Sequence, residues 1–381
     1  MRIGLDARTI FRPTRRGTGK NLIDLYRHLA VVRPHWQVVA YHRQPGRLER
    51  LMPKRVFQPR LIEMVGDRFD AWPRWRLPAA AWRDGVDLLH CPANVCPSWM
   101  PVPTVVTIHD LIPLDIPDRQ PVLEARRFEQ SVRTACRQSA WIICPSDYTA
   151  RRLVREFGAD PLRMTVNAWA PDSSVCSVPP GDWPRVLRRY AIQGSFVLHF
   201  GSGEPRKNTR RVIEAWAVCD RVVRHQRQLL VVGLDERTRQ ELTRSVKQLG
   251  VGSSVRLHGF ADEADLPTLL SAADVLVYPS LSEGFGLPIL DAWAAGTAVL
   301  TSNATSLPEV VGDAAMLVDP SDGCSIARGL TRLLGDRTLR NELLAKSQRR
   351  LTRYSWHATA QRFADALEQV ANARVGRRTA A

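Results

Sequence analysis

No stretch of this chain stays apolar over the ~18 residues that a membrane-spanning helix requires. The N-terminus, Met1-Arg-Ile-Gly-Leu-Asp6, meets an acid too early for a secretory leader and reads as a first strand. A disulfide framework is lacking too, since the seven cysteines (Cys91, Cys96, Cys136, Cys144, Cys176, Cys219 and Cys324) are odd in number and scattered. Such usage points to a reducing, cytoplasmic setting with buried thiols. His90, Cys91 and Cys96 follow no common zinc spacing, so no metal site is expected. A P-loop is missing as well: Gly19-Lys20 has Thr14 where the first glycine would stand, and Asn21 where magnesium needs Ser or Thr.

Acid is scarce. The chain carries 38 Asp and Glu against 54 Lys and Arg, a net charge of +16. Residues 1–60 hold fourteen of the bases and three acids, interleaved with Phe11, Trp36 and Phe57. Such a surface attracts anionic lipid headgroups, other polyanions or nucleic acid. A solvated basic face in an arginine-rich chain accounts for it equally well.

What is present is a repeated alternation of short β-rich runs with helical spacing. The length of 381 residues suits two domains. In the first half, Arg2–Asp6, Gln37–Tyr41, Asp87–His90, Thr104–Asp110 and Trp141–Cys144 read as buried strands. The segment from Arg43 to Arg83, which includes Ala71-Trp-Pro-Arg-Trp-Arg-Leu77, resists assignment and offers an acceptor- or membrane-facing surface. Ser146 or Asp147 caps a helix. Prolines and serines from Pro171 to Pro184 mark a linker. In the second half, runs at Ser195–Phe200, Leu229–Gly233, Ser254–Gly259, Ala273–Tyr278 and Ala298–Leu300 continue the rhythm, giving an α/β protein with doubly wound parallel sheets.

Three loops carry the chemistry. Tyr278-Pro-Ser-Leu-Ser-Glu-Gly-Phe-Gly-Leu-Pro-Ile-Leu-Asp-Ala-Trp-Ala-Ala-Gly296 links a strand to a helix, with Pro288 suited to the first turn and Gly296 to the end. Gly284 and Gly286 let the backbone approach a ligand, and Glu283 and Asp291 place two carboxylates near a strand's carboxyl end. Gly201-Ser-Gly-Glu-Pro-Arg-Lys-Asn208 sets Arg206 and Lys207 just before a helix, a suitable diphosphate site. Gly17 and Gly19 lie between the first strand and the first helix, where a tight turn explains them as readily as a ligand does. His109 and Asp110 end a central strand; Asp110 doubles as a local cap.

The 278–296 stretch resembles the E-x7-E signature of the retaining glycosyltransferases of family 4, with Asp291 standing for the second glutamate. Glu204-Pro-Arg-Lys-Asn208, the His109-Asp110 pair, and the runs Gly296–Ser302, Leu307–Gly312 and Ala315–Pro320 are similar to that family too. Ser202 occupies a place where relatives often carry an arginine. Asn167-Ala-Trp-Ala170 departs from the family's Pro-Asn-Gly.

The resemblance implies a GT-B fold, two Rossmann-like doubly wound domains facing across a cleft. It divides the chain into an acceptor-binding domain (1–175), a nucleotide-sugar-binding domain (176–356), and a final helix returning to the first domain plus a basic tail (357–381). It implies transfer of a sugar from a nucleotide-diphosphate donor, GDP-mannose or a UDP-sugar, with retention and with neither metal nor further cofactor. His109, Glu283, Arg206 and Lys207 would be catalytic. Gly17, Gly19, Gly284, Phe285, Gly286 and Asp291 would bind donor or substrate, Asp291 at the ribose. The loop after Arg256–Phe260 would lie by the base. The acceptor would be a saccharide or a polyprenyl-diphosphate-linked saccharide of surface polysaccharide synthesis, reached from the inner face of an anionic membrane; no nucleic acid is expected. A sugar-nucleotide epimerase of the same fold, a non-catalytic sugar-nucleotide binder and a nucleic-acid binder are the rival readings.

Overall fold

The computed structural model describes residues 1–11, 17–43, 56–63, 71–95, 97–116 and 122–379. Parts of the basic N-terminal region (12–16 and 44–55) and Cys96 therefore lie outside the described residues. The chain divides into two units, Met1–Ala170 with Tyr354–Ala381, and Pro171–Arg353.

In the first unit the strands are β1 (Arg2–Asp6), β2 (Gln37–His42), β3 (Phe57–Leu61), β4 (Leu88–Cys91), β5 (Thr104–Thr107), β6 (Trp141–Cys144) and β7 (Met164–Val166). They form one sheet in the order β3-β2-β1-β4-β5-β6-β7. Every pairing is parallel. Continuous apolar runs such as Val38–Tyr41 and Ile142–Cys144 are buried, as helices on both faces of a parallel sheet demand. The order reverses between β1 and β4, the position where open α/β sheets leave a crevice.

Strand β3 was invisible to pattern reading, and its residues say why. Pro59 removes a backbone donor, which confines the segment to an edge, and Gln58 to Leu61 are exposed, so no alternation survives. Helical structure also lies within the unassigned region. A π-helical turn, Trp72–Arg76, runs into a helix, Leu77–Arg83, with Pro73 and Pro78 near the two starts. Trp72 anchors it: the ring is buried, its Nε1 donates to the Ile62 carbonyl at 3.0 Å, and the Arg8 guanidinium lies 4.8 Å from the ring centroid. The helix Trp356–Thr379 completes this unit, with Arg33 donating to Glu368 at 2.7 Å and Phe363 wedged between Tyr26 and His90.

The second unit holds β8 (Phe196–Phe200), β9 (Gln228–Val232), β10 (Val255–Leu257), β11 (Val275–Tyr278), β12 (Ala298–Ser302) and β13 (Met316–Val318). Their order is β10-β9-β8-β11-β12-β13, again with parallel pairings. Val197, Leu229, Val231, Val275, Val277 and Leu300 pack with the buried Trp216 in one apolar cluster. The reversal of order falls between β8 and β11.

Cys91, Cys136, Cys144 and Cys219 are buried, whereas Cys176 and Cys324 lie at the surface. The expectation of buried thiols holds for those four and is corrected for two: Cys176 sits in the Pro- and Ser-rich linker and Cys324 in the first turn of the helix Gly323–Gly335, both exposed. No helix among the described residues is long and apolar enough to cross a membrane.

Each unit buries a histidine in its sheet. His90 lies between the Tyr26 hydroxyl and Thr107 Oγ1, both at 2.8 Å, and burial lowers its pKa to about 3. His199 lies between the Val277 carbonyl (2.8 Å) and Thr209 Oγ1 (3.2 Å), and burial lowers its pKa to about 4. The unfolded chain takes up protons near 6.5 and the folded chain does not, so stability is full above that pH and falls as pH drops toward 4. The loss is on the order of a few kcal/mol, because each tenfold difference in proton affinity between the two states corresponds to ~1.4 kcal/mol. Melting temperatures at pH 7.5, 6 and 5 are therefore expected to decline before the carboxylates titrate. H90Q and H199Q, though less stable at pH 7.5, should each flatten that decline. Unchanged slopes in both variants would exclude the histidines as its source.

Candidate active site

Because β8 pairs directly with β11, the loops leaving their carboxyl ends are neighbours. Asn208 ties them together. It takes a left-handed conformation (φ 60°, ψ 24°) at the start of the helix Thr209–Val218, and its Nδ2 donates to the carbonyls of Pro279 (3.0 Å) and Pro320 (2.7 Å). The Leu281 amide donates to the Arg206 carbonyl at 2.7 Å, a second stitch between the loops.

Arg206 and Lys207 consequently converge on Glu283. Its Oε1 accepts from Arg206 Nη1 at 3.0 Å, Lys207 Nζ at 2.7 Å and the Tyr278 hydroxyl at 2.7 Å. Lys207 also donates to the Tyr278 oxygen, and its ammonium lies 4.7 Å from that ring's centroid. At the rim, Arg206 Nε donates to the exposed Glu204 at 2.6 Å. Glu283 is itself held from behind: its amide donates to Thr305 Oγ1 at 3.2 Å and its carbonyl accepts from Ser306 Oγ at 2.9 Å.

The electrostatics follow from burial opposed by charge. Burial would raise the Glu283 carboxyl, but Lys207 and Arg206 outweigh it and hold the group below the ordinary carboxylate range. Burial lowers the Lys207 ammonium, with Glu283 acting against it. For Arg206 the same carboxylate overcomes the burial effect and raises the guanidinium. Tyr278 is pushed well above its usual value, first by burial and then by the Glu283 charge, so it stays a neutral donor. Two cations thus share one buried carboxylate, an arrangement able to receive further negative charge.

Gly286 opens the helix Leu287–Ala294 at φ 105°, a conformation L side chains rarely adopt, and a Cβ there would meet Leu307 Cδ2 at 2.6 Å. Gly284 lies in the same loop and Phe285 is buried beside it. Asp291 lies on the helix, where its Oδ1 accepts the Asp172 amide at 2.8 Å; the carboxylate is engaged with the linker.

The remaining candidates belong to the first unit. Gly17 and Gly19 fall inside the helix Gly17–Val32, not in a turn before it as the spacing suggested. His109 follows β5, where its amide donates to Asn94 Oδ1 at 2.7 Å and its Nε2 lies 2.6 Å from the Pro92 carbonyl. That contact requires Nε2 to carry the hydrogen, so the neutral ring presents Nδ1 as an acceptor. Burial lowers its pKa, which favours this neutral form. Asp110 Oδ1 accepts the Ile112 amide at 3.2 Å, a local turn ahead of the short helix Ile112–Asp115, whose N-cap position is Leu111.

Three further residues belong to these surroundings without a mark in the sequence. Tyr278 was read only as a strand end; its hydroxyl bridges Lys207 and Glu283. Asn208 was read only as the close of a basic string; its positive φ and two carbonyl contacts depend on distant chain. Trp169, in the segment that departs from the family pattern, stacks on His109 with ring centroids 5.7 Å apart. No local signal identifies that contact.

Comparison with known proteins bears on the family and the fold. The profile described as "Glycosyl transferases group 1" matches residues 192–350, and "Glycosyltransferase Family 4" matches residues 15–167. The chain is 30% identical over 361 residues to the O-antigen chain mannosyltransferase B of Escherichia coli, covering 89% of this chain and 92% of that protein. A serotype-specific mannosyltransferase WbdA of Escherichia coli is 29% identical over 269 residues, but the match spans only a third (33%) of that longer protein. Among solved structures, Anabaena Alr3699/HepE in complex with UDP and glucose superposes with a TM-score of 0.77 at 18% identity, covering 97% of this chain and 100% of that one. WaaG, a glycosyltransferase involved in lipopolysaccharide biosynthesis, gives 0.75 at 18% identity, covering 96% and 99%. Two parallel Rossmann-like sheets with these neighbours are the GT-B fold, and on its sequence and fold together the chain belongs to the group 1, family 4 glycosyltransferases.

Proposed function

We propose that this glycosyltransferase moves a mannosyl unit from GDP-mannose to a saccharide, or to a polyprenyl-diphosphate-linked saccharide, in surface polysaccharide synthesis, with retention at the anomeric carbon and without a metal or other cofactor. The observation that carries the proposal is the convergence of Arg206, Lys207 and Tyr278 on Glu283 at the reversal point of the second sheet. As the bond between the anomeric carbon and the phosphate oxygen breaks, charge builds on the departing diphosphate. Arginine's fork and lysine's point charge are suited to stabilise it, the role a metal fills elsewhere. Glu283, kept ionised, would accept a hydrogen bond from a sugar hydroxyl. The acceptor hydroxyl would add on the face the diphosphate leaves, passing its proton to the departing phosphate oxygen.

His109 would offer Nδ1 to the transferred sugar. Asp291 would approach the ribose only with the capacity that its bond to Asp172 leaves. Mannose and surface polysaccharide are supported by the O-antigen chain mannosyltransferase B and the serotype-specific mannosyltransferase WbdA among the relatives. The inner face of the plasma membrane is the proposed place of action.

The test is a donor screen with a lipid-linked saccharide extract. GDP release is expected from GDP-mannose in preference to UDP release from UDP-glucose, undiminished by a chelator, and proton NMR should show an α-linked product. A β-linked product would end the retaining reading, loss of activity on chelation the metal-independent one, and preferential UDP release the choice of donor.

A further inference from the structure

We infer that the helical segment Trp72–Arg83 is the surface by which this protein docks on an anionic phospholipid bilayer. The sequence Trp-Pro-Arg-Trp-Arg-Leu-Pro-Ala-Ala-Ala-Trp-Arg points its tryptophans in two directions. Trp72 is buried and fastened to the Ile62 carbonyl, which fixes the segment on the unit. Trp75 and Trp82 are 54% and 59% exposed, although a tryptophan is costly to leave in water. Trp75 lies in the π-helical turn and Trp82 in the helix that continues it, seven residues or close to two turns on, so the two exposed rings fall toward one side of the segment.

Charge selects the occupant. Arg76 and Arg83 are exposed beside the two rings, Arg74 is half-exposed, and the segment contains neither acid nor amide. On the flanks Arg60 pairs with Asp84 at 3.6 Å and Glu63 is exposed, so the excess across the face stays basic. Indole rings with arginines on a helix too short to span describe an element lying in the headgroup layer, ring bodies at the acyl boundary and guanidinium groups on phosphates. A saccharide platform also uses exposed indoles, but it pairs them with carboxylates or amides that accept from hydroxyls, and Trp72–Arg83 supplies none. The purpose of docking rests on the lipid-linked acceptor proposed above, whereas the docking itself does not.

Sedimentation of the full chain with phosphatidylcholine vesicles, with and without phosphatidylglycerol, tests this in the absence of donor. The wild type is expected to pellet with the anionic vesicles, and W75A/W82A to bind at least about tenfold more weakly. Each arginine near such a surface is worth roughly fivefold in partitioning, so R76Q/R83Q should lose on the order of 25-fold and most of its salt sensitivity. Both variants change exposed side chains, and an unaltered thermal melt confirms that they fold. The inference is overturned if the wild type stays in the supernatant, or if W75A/W82A pellets as the wild type does. It is equally overturned if the tryptophan variant loses only retention on immobilised mannan, which would make the face a polysaccharide platform. GDP release with a water-soluble saccharide acceptor, measured separately, is expected to be unchanged in W75A/W82A. Failure of vesicle binding and failure of the transfer reaction are therefore told apart.

Discussion

Lys207→Met is expected to lower kcat by roughly a hundred- to a thousandfold, the usual cost of removing one preorganised charge-stabilising donor from a desolvated site. Methionine keeps most of the stem's volume, so packing against the Tyr278 ring survives and the loss isolates the charge. KM for the donor should rise as well, though less, because the diphosphate gains most of its charge only as the sugar departs. Lys207→Arg is expected to recover little, since a planar fork does not fit where a single Nζ serves both Glu283 and the Tyr278 oxygen. Steady-state kinetics with a defined acceptor, beside a thermal melt, provides the check. A variant that melts like the wild type and keeps its kcat would remove the leaving-group role from Lys207.

Glu283→Gln should have an effect of similar size, and its pH dependence makes it diagnostic. In the wild type, burial lowers the Lys207 pKa while the Glu283 charge opposes that fall. Removing the charge leaves burial and the neighbouring Arg206 acting together, so the lysine must lose its proton at a lower pH. If protonated Lys207 is the active form, the alkaline limb of kcat/KM moves to lower pH in E283Q. The carboxylate's own pKa, depressed by Lys207 and Arg206, lies on the acid side and cannot produce that movement. Tyr278→Phe keeps the charges and removes one donor to Oε1; it should cost about tenfold in kcat and leave the alkaline limb nearly in place. If E283Q and wild type share one alkaline limb, the coupling between the carboxylate and the lysine does not govern catalysis. Activity unchanged in E283Q would remove the carboxylate from the mechanism altogether.

Much of the molecule could be read without coordinates. The buried strands announced themselves as short β-branched and aliphatic runs, because a parallel sheet covered on both faces needs little else. Strand β3 did not, since an edge strand with a central Pro59 has no inner face to pattern. Gly286 could be singled out from its place before Pro288, and its φ of 105° shows a backbone that a larger residue would strain. Gly17 and Gly19 stand in the first turn of a helix: their place after the first strand suits a tight turn, but the amides of a first helical turn lack intrahelical partners, so glycine is tolerated there. Asp291 shows the opposite limit. Its spacing from Glu283 marked it for a ligand, and nothing nearby in sequence revealed that one of its oxygens holds the amide of Asp172, 119 residues away.

Alone, then, the order of amino acids determined the local devices: a basic pair before a helix, an acid in a glycine loop, strands and helices in alternation. Each is complete within about ten residues, so its physics is that of neighbouring backbone and side chains. Only the tertiary structure decided that these devices form one site. Lys207 and Glu283 are 76 residues apart in sequence, and they meet because the sheet sets β8 beside β11 and Asn208 clips the two loops together. Strand order depends on which buried faces pack best over the whole unit. That choice is spread across dozens of apolar residues, and no single motif records it.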